Sequence, residues 1–259
     1  MSISLIHPTA IIDPSAELHA TVSVGPYSII GPHVVIGEGT EVGPHVVIKG
    51  PTVIGKNNKI YQFASVGEDC QDKKYRGEPT KLIIGDGNTI REFATVQRGT
   101  VQDNSETKIG DNNWFMAYVH IAHDCIIGSN TVFANNATVA GHVWVGDGVI
   151  LGGFTGIHQF CKLGSYSFTS MFSAVNKDVP AYVMVQGNMA RARGLNLEGM
   201  KRKNYSSELI AQIKQAYKIV YQQNLTLIEA MDALALMPVS PELTLFIDSL
   251  RVATRGITR

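Results

Sequence analysis

Apolar residues, nearly all aliphatic, recur every six positions along the first two thirds of the chain. The period is carried by Ile6, Ile12, Leu18, Val24, Ile30, Ile36, Val42, Ile48, Ile54, Ile60, Val66, Ile84, Ile90, Val96, Ile109, Phe115, Ile121, Ile127, Phe133, Val139, Val145, Leu151, Ile157 and Leu163. A small or β-branched residue usually stands two positions earlier, and glycine often follows. This period does not match an amphipathic helix, which repeats about every 3.6 residues. It predicts short strands joined by turns, three of which close one coil around the aliphatic side chains.

The six-residue period fails at two places. After Val66 the next periodic positions would be Asp72 and Glu78, whose charges cannot line an apolar core. Residues 68–83 are therefore predicted to form a loop outside the coils. Residues 98–107, where the spacing is one residue too long, are predicted to form a second loop. Long polar loops in a regular solenoid usually serve binding or assembly.

The pattern changes after Pro180 and predicts two domains. We expect an all-β parallel β-helix over residues 1–190 and a C-terminal α-helical domain over residues 191–259, with helices from about residue 191. Three helix-start signals lie in this tail: Ser206, the pair Thr226 and Glu229, and Ser240 before Pro241. The tail is predicted to cover one end of the solenoid.

Composition excludes several classes of protein. The 259 residues carry 22 basic and 22 acidic side chains, so the total charge does not indicate a nucleic-acid binder. No apolar run reaches the roughly 18 residues of a membrane span. The segment Met1–Pro8 lacks a basic region and an apolar core, so we expect no signal peptide. The cysteines are odd in number and form no CxxC motif, which favours a reducing cytoplasm: Cys70, Cys125 and Cys161.

Four of the eight histidines are candidates for chemistry. His142 and His158 lie about one and two coils beyond His123, and His120 lies three residues before it. These side chains are therefore predicted to stack along one edge of the solenoid, about 4.8 Å apart per coil. A row of solvent-exposed imidazoles is the alternative. The other four are predicted to be ordinary surface or corner residues: His7, His19, His33 and His45.

Several stretches carry a resemblance to a known family. Residues 118–125 read Tyr-Val-His-Ile-Ala-His-Asp-Cys, and further matching stretches are Ile60–Ser65, Gln71–Tyr75, Arg98–Thr100, Gly141–His142, His158–Cys161, Gln186–Asn188, Asn196–Gly199 and Thr254–Arg259. Together they resemble the acyl-[acyl-carrier-protein]–UDP-N-acetylglucosamine O-acyltransferases, the hexapeptide-repeat enzymes that begin lipid A synthesis. The resemblance covers the whole chain and implies that the coils are left-handed.

The resemblance implies transfer of an (R)-3-hydroxyacyl group from acyl carrier protein to the 3-hydroxyl of UDP-N-acetylglucosamine. A sugar hydroxyl is a poor nucleophile and needs a base such as histidine. The match assigns this role to His123, and it assigns donation to the oxyanion to the backbone N–H of Gly141. Asp72 matches a residue that contacts substrate and is expected to orient a histidine, with Asp124 the weaker candidate for that task.

Other matches concern substrate binding. The resemblance assigns contacts to Gln71, Lys74, His120, Asp124, His142, His158 and Gln159, and it assigns the nucleotide-sugar end to Asn196, Glu198 and Arg202. Arginine suits the diphosphate of a nucleotide sugar. Ordinary roles stay open, because Lys74 and Arg202 could be solvated charges and Asn196 and Glu198 could cap a helix.

Three positions depart from the pattern of many relatives. Met171 replaces a glycine at the floor of the acyl groove, so we expect a preference for a medium chain such as 3-hydroxydecanoyl. Alternatively, this methionine fills space without affecting chain length. Gln97 replaces a histidine, and Lys203 replaces a second arginine, which weakens the case for bidentate phosphate binding there.

The resemblance also implies a homotrimer with its sites between subunits, and a cytoplasmic location. No metal and no cofactor are expected, because the acyl donor is carried on the 4′-phosphopantetheine of acyl carrier protein. We expect neither nucleic acid nor a membrane span. The alternatives are another hexapeptide acyltransferase, such as the N-acyltransferase acting two steps later, a metalloenzyme resembling γ-class carbonic anhydrase with His120 and His123 as zinc ligands, or a purely structural solenoid.

Overall fold

The computed structural model describes residues 5–259. Residues 1–4, with which the predicted β-helix domain and the Met1–Pro8 segment begin, lie outside the described part. The strands are β1 (Ile11–Ile12), β2 (Glu17–Leu18), β3 (Ser23–Val24), β4 (Ile29–Ile30), β5 (Val34–Ile36), β6 (Glu41–Val42), β7 (Val47–Ile48), β8 (Thr52–Ile54), β9 (Lys59–Ile60), β10 (Ser65–Glu68), β11 (Lys81–Ile84), β12 (Thr89–Ile90), β13 (Thr95–Gln97), β14 (Glu106–Ile109), β15 (Trp114–Phe115), β16 (His120–Ile121), β17 (Ile126–Ile127), β18 (Val132–Phe133), β19 (Thr138–Val139), β20 (Trp144–Val145), β21 (Ile150–Leu151), β22 (Gly156–Ile157), β23 (Lys162–Leu163), β24 (Phe168–Thr169), β25 (Ala174–Val175), β26 (Val183–Gln186) and β27 (Arg191–Leu195). The helices are α1 (Leu197–Arg202), α2 (Ser207–Gln222), α3 (Leu227–Ala235) and α4 (Pro241–Arg251).

Up to β25, strands three apart along the chain pair in parallel, and the strands build three sheets. Sheet I has the order β1-β4-β7-β10-β13-β16-β19-β22-β25, sheet II the order β2-β5-β8-β11-β14-β17-β20-β23, and sheet III the order β27-β26-β24-β21-β18-β15-β12-β9-β6-β3. The register confirms the predicted coil, since Ile11 pairs with Ile29 and Ile29 pairs with Val47. The domain is a left-handed parallel β-helix with three faces. The turns form three edges, which we call the I–II, II–III and III–I edges.

The periodic aliphatic residues fill the interior of the prism, as the sequence predicts. Ile30, Ile48 and Leu151 are at most 1% exposed. The smaller residues two positions earlier share this interior, as at Val46 and Ala137. Burying one large aliphatic side chain is worth about 1.5–3 kcal/mol, so stacking neighbouring coils supplies the stability that a single coil cannot.

The glycine after the aliphatic residue is required by the spacing of the coils. A Cβ added at Gly37 would lie 2.8 Å from the carbonyl atoms of Gly55 in the next coil. The left-handed backbone conformation occurs two positions later in most turns, for example at His33 with φ 56° and at Phe63 with φ 63°. Glycine therefore permits close approach of successive coils, while the turn itself accepts larger residues.

The two loops are shorter than predicted. The first loop comprises residues 69–80, and the second comprises residues 98–105. The flanking residues belong to β10, β11 and β14, where Lys81 pairs with Glu106 and Leu82 with Thr107. Lys81 and Glu106 also form an ion pair of 3.1 Å. Charged side chains on the outer face of a strand look like loop residues in the sequence, which explains the error.

The predicted helix starts in the tail are confirmed. The Ser206 side chain accepts from Leu209 N–H, Thr226 and Glu229 form a capping box, and Pro241 follows the cap Ser240. The helices begin at Leu197 and not at about residue 191. The reason is that β27 pairs antiparallel with β26 and extends sheet III by one more strand.

The tail packs on the last coils of the prism. The N–H of Ala181 donates to Ser249 Oγ at 2.9 Å. The carboxylate of Asp178 accepts from the N–H groups of Thr254 and Arg255 at 2.7 and 3.0 Å. The tail thus covers the end of the solenoid as predicted. Within residues 5–259 the helices are too short or too polar to span a bilayer.

Candidate active site

The I–II edge carries the histidines that the sequence singles out. His123 lies between β16 and β17, and His142 lies between β19 and β20 one coil later. His158 and Gln159 follow on the same edge between β22 and β23. Both loops leave and re-enter the prism here, because each connects a strand of sheet I with a strand of sheet II. The edge therefore gathers the predicted chemistry in one place.

His123 lies under the glycine of the next coil. Its side chain is 14% exposed. A Cβ at Gly141 would lie 2.6 Å from His123 Nε2 and 2.5 Å from Cε1, so only glycine leaves room for the imidazole. Within residues 5–259 the N–H of Gly141 has no acceptor, whereas His142 N–H donates to the His123 carbonyl at 3.0 Å. A free backbone donor and a histidine ring thus lie side by side.

Asp124 holds the other nitrogen of the ring. His123 Nδ1 lies 2.8 Å from Asp124 Oδ2, and the Asp124 side chain is fully buried. Burial by itself raises the pKa of Asp124, but hydrogen bonds from His123 and from Thr100 lower it below its ordinary value. An ionised carboxylate at this distance keeps the proton on Nδ1 and leaves the Nε2 lone pair available.

The expected ranking of the two aspartates is reversed in the structure. Asp72 does not contact His123, and its Oδ1 accepts from the N–H of Lys74 at 2.9 Å. Asp124 follows His123 directly and turns at the edge with φ 57°, which places its carboxylate against the ring. Asp72 lies in the first loop, outside the coils, and turns its carboxylate onto that loop's own backbone.

His142 is fixed by three neighbours. Its Nδ1 lies 2.8 Å from Asp103 Oδ2 in the second loop. Its ring stacks on Phe160 with centroids 4.4 Å apart, and it meets the His123 ring edge-on at 4.9 Å. The Nδ1 of each of the two imidazoles thus faces a carboxylate, and their relative orientation is set by packing.

The other predicted histidines flank this pair. His120 Nδ1 lies 2.7 Å from Thr95 Oγ1, and burial, followed by the nearby His123, lowers the pKa of His120. Its ring is therefore neutral at pH 7. His158 and Gln159 are exposed, and His158 Nδ1 lies 3.2 Å from the Gln159 carbonyl. These two residues form the outer rim of the site.

Gln71, Asp72 and Lys74 lie on the first loop beside the same edge, with Gln71 and Lys74 exposed. The loop is held by Arg98, whose guanidinium pairs with Asp69 and donates to the Tyr75 hydroxyl at 3.2 Å. Arg98 is only 6% exposed. The loop therefore presents its polar residues from a fixed base.

The residues assigned to the nucleotide-sugar end lie elsewhere on the protomer. Asn196 caps α1, because its Oδ1 accepts from Gly199 N–H and its Nδ2 donates to the Tyr166 carbonyl, both at 3.0 Å. Glu198 is exposed and pairs with Lys201 at 2.9 Å, which lowers the pKa of Glu198. These residues and Arg202 line a groove of about 620 Å³ over sheet III and the II–III edge. One chain does not bring them to His123.

Met171 also lies away from His123. It stands on the III–I edge between β24 and β25 and is 60% exposed. A separate groove of about 270 Å³ runs over sheet I from His158, past small outward-facing residues, towards Met189; its lining includes Thr138, Gly156 and Ala174. The outer face of sheet I therefore carries an apolar groove that begins at the I–II edge beside His158.

The same edge contains a cluster of metal-ligand type. One nitrogen of His123, one of His142 and one oxygen of Asp124 lie within 4.8 Å of one another. His120, the second ligand in the metalloenzyme alternative, is not part of this cluster and is bonded to Thr95 instead. The Nδ1 atoms of His123 and His142 already face carboxylates.

Two residues of the site were not assigned roles from the sequence. Thr100 donates to Asp124 through both its N–H and its hydroxyl, and Asp103 holds His142. The stretch Arg98–Thr100 is part of the family resemblance, and the break in the six-residue period predicts the loop that contains it. The six-residue period could not predict these contacts, because it does not describe residues outside the coils.

Comparison with family models matches both parts of the chain. Residues 15–50 and 106–141 match the model described as bacterial transferase hexapeptide (six repeats). Residues 178–258 match the model described as Udp N-acetylglucosamine O-acyltransferase, domain 2. The repeat model alone is shared by many transferases, whereas the second model is specific to the tail.

Relatives match along the whole chain. The acyl-[acyl-carrier-protein]–UDP-N-acetylglucosamine O-acyltransferase of Ectopseudomonas mendocina is 59% identical over 99% of this chain and all of the relative, and that of Pseudomonas aeruginosa is 58% identical. The solved structure of LpxA from Acinetobacter baumannii superimposes with a TM-score of 0.96 at 55% identity, covering 98% of this chain and 100% of that one. A UDP-N-acetylglucosamine acyltransferase from Bacteroides fragilis superimposes at 0.95 with 35% identity, covering 98% and 99%. The chain therefore belongs to the acyl-[acyl-carrier-protein]–UDP-N-acetylglucosamine O-acyltransferase family of hexapeptide-repeat enzymes.

Proposed function

We propose that this acyltransferase moves an (R)-3-hydroxyacyl group from acyl carrier protein to the 3-hydroxyl of UDP-N-acetylglucosamine, the first step of lipid A biosynthesis. One observation carries the proposal: His123 has its Nδ1 on a buried carboxylate and its Nε2 beside a free backbone donor. A base and an oxyanion donor at one point suit direct attack of an alcohol on a thioester. The matched relatives are named for these two substrates.

The acyl group can pass directly from the thioester to the sugar, without a covalent enzyme intermediate. His123 Nε2 takes the proton of the sugar 3-hydroxyl as its oxygen attacks the thioester carbon. The tetrahedral oxyanion accepts from the N–H of Gly141. The carbon–sulfur bond then breaks, and the leaving phosphopantetheine thiolate takes the proton from His123. Cys125 is no nucleophile here, because it is fully buried and burial raises its pKa to about 12.

We infer that the complete site needs a second copy of the chain. In a homotrimer with its axis along the prism, rotation keeps each coil at the same height, so sheet I of one protomer can face sheet III of the next. The small outer residues of sheet I then lie opposite the apolar outer residues of sheet III in the same coils, such as Val132, Ile150 and Phe168. The cleft between them would hold the acyl chain, and it would bring Asn196, Glu198 and Arg202 of one protomer to the base of another.

The III–I edge supports this arrangement, since it would point towards the axis. This edge carries a column of stacked, exposed aromatic rings, in which neighbouring centroids lie 4.8–5.3 Å apart: Tyr27, His45, Phe63, Phe93 and Tyr118. Phe154 and Phe172 continue it beyond Asn136, each at least 54% exposed. A long apolar ridge on a single chain marks an interface. Met171 stands at this edge, where it would close the far end of the acyl cleft and favour a medium chain.

The proposed assignments leave the enzyme without a metal or a cofactor of its own, since the carrier protein brings the 4′-phosphopantetheine. We place the reaction in the cytoplasm, in keeping with three buried, unpaired cysteines. The residues that would contact the sugar and the acyl hydroxyl are Gln71, Asp72 and Lys74 on the first loop, His120 on β16, and His142, His158 and Gln159 on the I–II edge.

The decisive assay supplies UDP-N-acetylglucosamine and a panel of 3-hydroxyacyl carrier proteins of different chain length. Formation of the 3-O-acyl sugar nucleotide is the expected result, with metal-free and zinc-supplemented enzyme equally active. Failure to acylate this acceptor with any donor would refute the proposal. A requirement for stoichiometric zinc would favour the metalloenzyme alternative.

A further inference from the structure

Two threonines of the second loop region enclose Asp124. The N–H of Thr100 donates to Asp124 Oδ1 at 2.9 Å, and the Thr100 hydroxyl donates to Oδ2 at 2.6 Å. On the other side, Asp124 N–H donates to Thr107 Oγ1 at 2.8 Å. All three residues are at most 4% exposed. Thr100 thus donates a hydrogen bond to each carboxylate oxygen of Asp124, and His123 adds a further contact to Oδ2.

We propose that Thr100 is a positioning residue for the base. By donating to both oxygens of Asp124, it fixes the plane of the carboxylate so that Oδ2 faces the Nδ1 of His123. Its catalytic consequence rests on the proposed function, but its hydrogen-bonding role does not.

The geometry shows why a fixed carboxylate is needed. Asp124 Oδ2 lies 2.8 Å from His123 Nδ1 and 3.9 Å from His142 Nδ1, so a small rotation would exchange one imidazole for the other. The second distance is too long for a hydrogen bond in the present orientation. A buried carboxylate that loses one donor is less restrained, and the His142 ring, whose Nδ1 now donates to Asp103, lies close enough to compete for it. The Thr100 hydroxyl therefore selects His123 as the partner of Asp124.

The loop holds Thr100 firmly in this place. Two residues earlier, the buried Arg98 donates to the Gly67 carbonyl at 2.5 Å and pairs with Asp69 of the first loop. Three residues later, Asp103 accepts from His142. With anchors on both sides, the Thr100 hydroxyl cannot follow a carboxylate that moves, which is what a positioning group requires.

The test begins with a measurement that needs no activity. Thr100→Val keeps the shape and the N–H of Thr100 but removes the hydroxyl, and Thr100→Ser keeps the hydroxyl. The matched control is Thr40→Val, at a fully buried threonine far from the site whose hydroxyl donates to the Gly55 carbonyl at 2.9 Å. Nitrogen-15 shifts of labelled histidine, assigned with a His123→Gln variant, report which ring nitrogen of His123 carries the proton.

Wild type, Thr100→Ser and Thr40→Val are expected to show the Nδ1–H tautomer of neutral His123. Thr100→Val is expected to show a mixture with the Nε2–H tautomer. In the acyl-transfer assay, Thr100→Val should lower kcat/KM by about 10- to 150-fold, the scale of one hydrogen bond to a charged group, with KM little changed and Thr100→Ser restoring the rate.

Two results would overturn the inference. One is a Thr100→Val protein with the wild-type tautomer. The other is a folded Thr100→Ser protein that loses the tautomer, because the hydroxyl is retained there; this arm decides if Thr100→Val does not fold. If wild type shows the Nδ1–H tautomer but transfers no acyl group, the proposed function fails while the hydrogen-bonding role of Thr100 stands.

Discussion

Replacing Asp124 by asparagine tests the acid–base site most directly. Asparagine has nearly the same shape, but one of its two terminal atoms is a donor. Asp124 Oδ1 accepts from Thr100 N–H, and Oδ2 accepts from the Thr100 hydroxyl and from His123 Nδ1. Either orientation of the amide therefore turns an NH₂ group towards a donor.

The orientation with the NH₂ group at the Oδ2 position costs less, because both partners there can change roles. The Thr100 hydroxyl can rotate and accept, and His123 can move its proton to Nε2. That tautomer has no lone pair at Nε2 and cannot act as base. A positioned general base contributes about 10²–10⁴-fold to a rate, so kcat/KM should fall by that factor, or about 3–5.5 kcal/mol in the barrier.

The assay follows release of the carrier-protein thiol with UDP-N-acetylglucosamine at saturating acyl donor. Asp72→Asn is the matched control, because it makes the same chemical change on the first loop without touching His123. This control variant should raise KM and leave kcat almost unchanged. A Asp124→Asn enzyme that keeps more than a third of the wild-type kcat/KM would refute the assignment of Asp124 as the partner of the base.

Other predictions concern the same edge and the acyl cleft. His123→Ala should abolish turnover while leaving the proposed trimer intact by analytical ultracentrifugation; appreciable residual activity would remove His123 as base. Gly141→Ala should lower kcat about 100-fold, because its Cβ would lie 2.5 Å from the His123 ring and would displace it; an unchanged rate would mean that the ring moves aside freely. Met171→Gly should shift donor preference towards longer 3-hydroxyacyl chains, and unchanged selectivity in the donor panel would leave this methionine a space-filling role. Because its pKa is lowered in the folded state, the Asp124 carboxylate stabilises the folded protein at every pH above its ordinary pKa of 3.8. This stabilisation is lost as the pH falls through the pKa of the folded state. The Tm difference between wild type and Asp124→Asn should therefore be full at pH 7 and shrink below pH 3.8; a constant difference would contradict this linkage.

The repeat made much of this architecture predictable. A six-residue period leaves few alternatives once each aliphatic residue must be buried, so the register of Ile11 with Ile29 follows from the spacing. The same regularity placed His123 and His142 on one edge without any knowledge of the fold's handedness. Where the regularity ends, the sequence predicts less: the charged Lys81 and Glu106 resemble loop residues, although they form an ion pair on a strand surface.

The sequence by itself determined the coils, their interior, the caps of α2, α3 and α4, and the presence of His123 and His142 on one edge. Tertiary structure decided which carboxylate serves His123, because Asp72 and Asp124 have the same chemistry and differ only in where their backbones place them. It also decided the hydrogen bonds of Thr100 and Asp103, which lie in a loop that no period describes. Periodic burial is a local rule written along the chain, whereas a hydrogen bond from a loop depends on how that loop folds back in three dimensions.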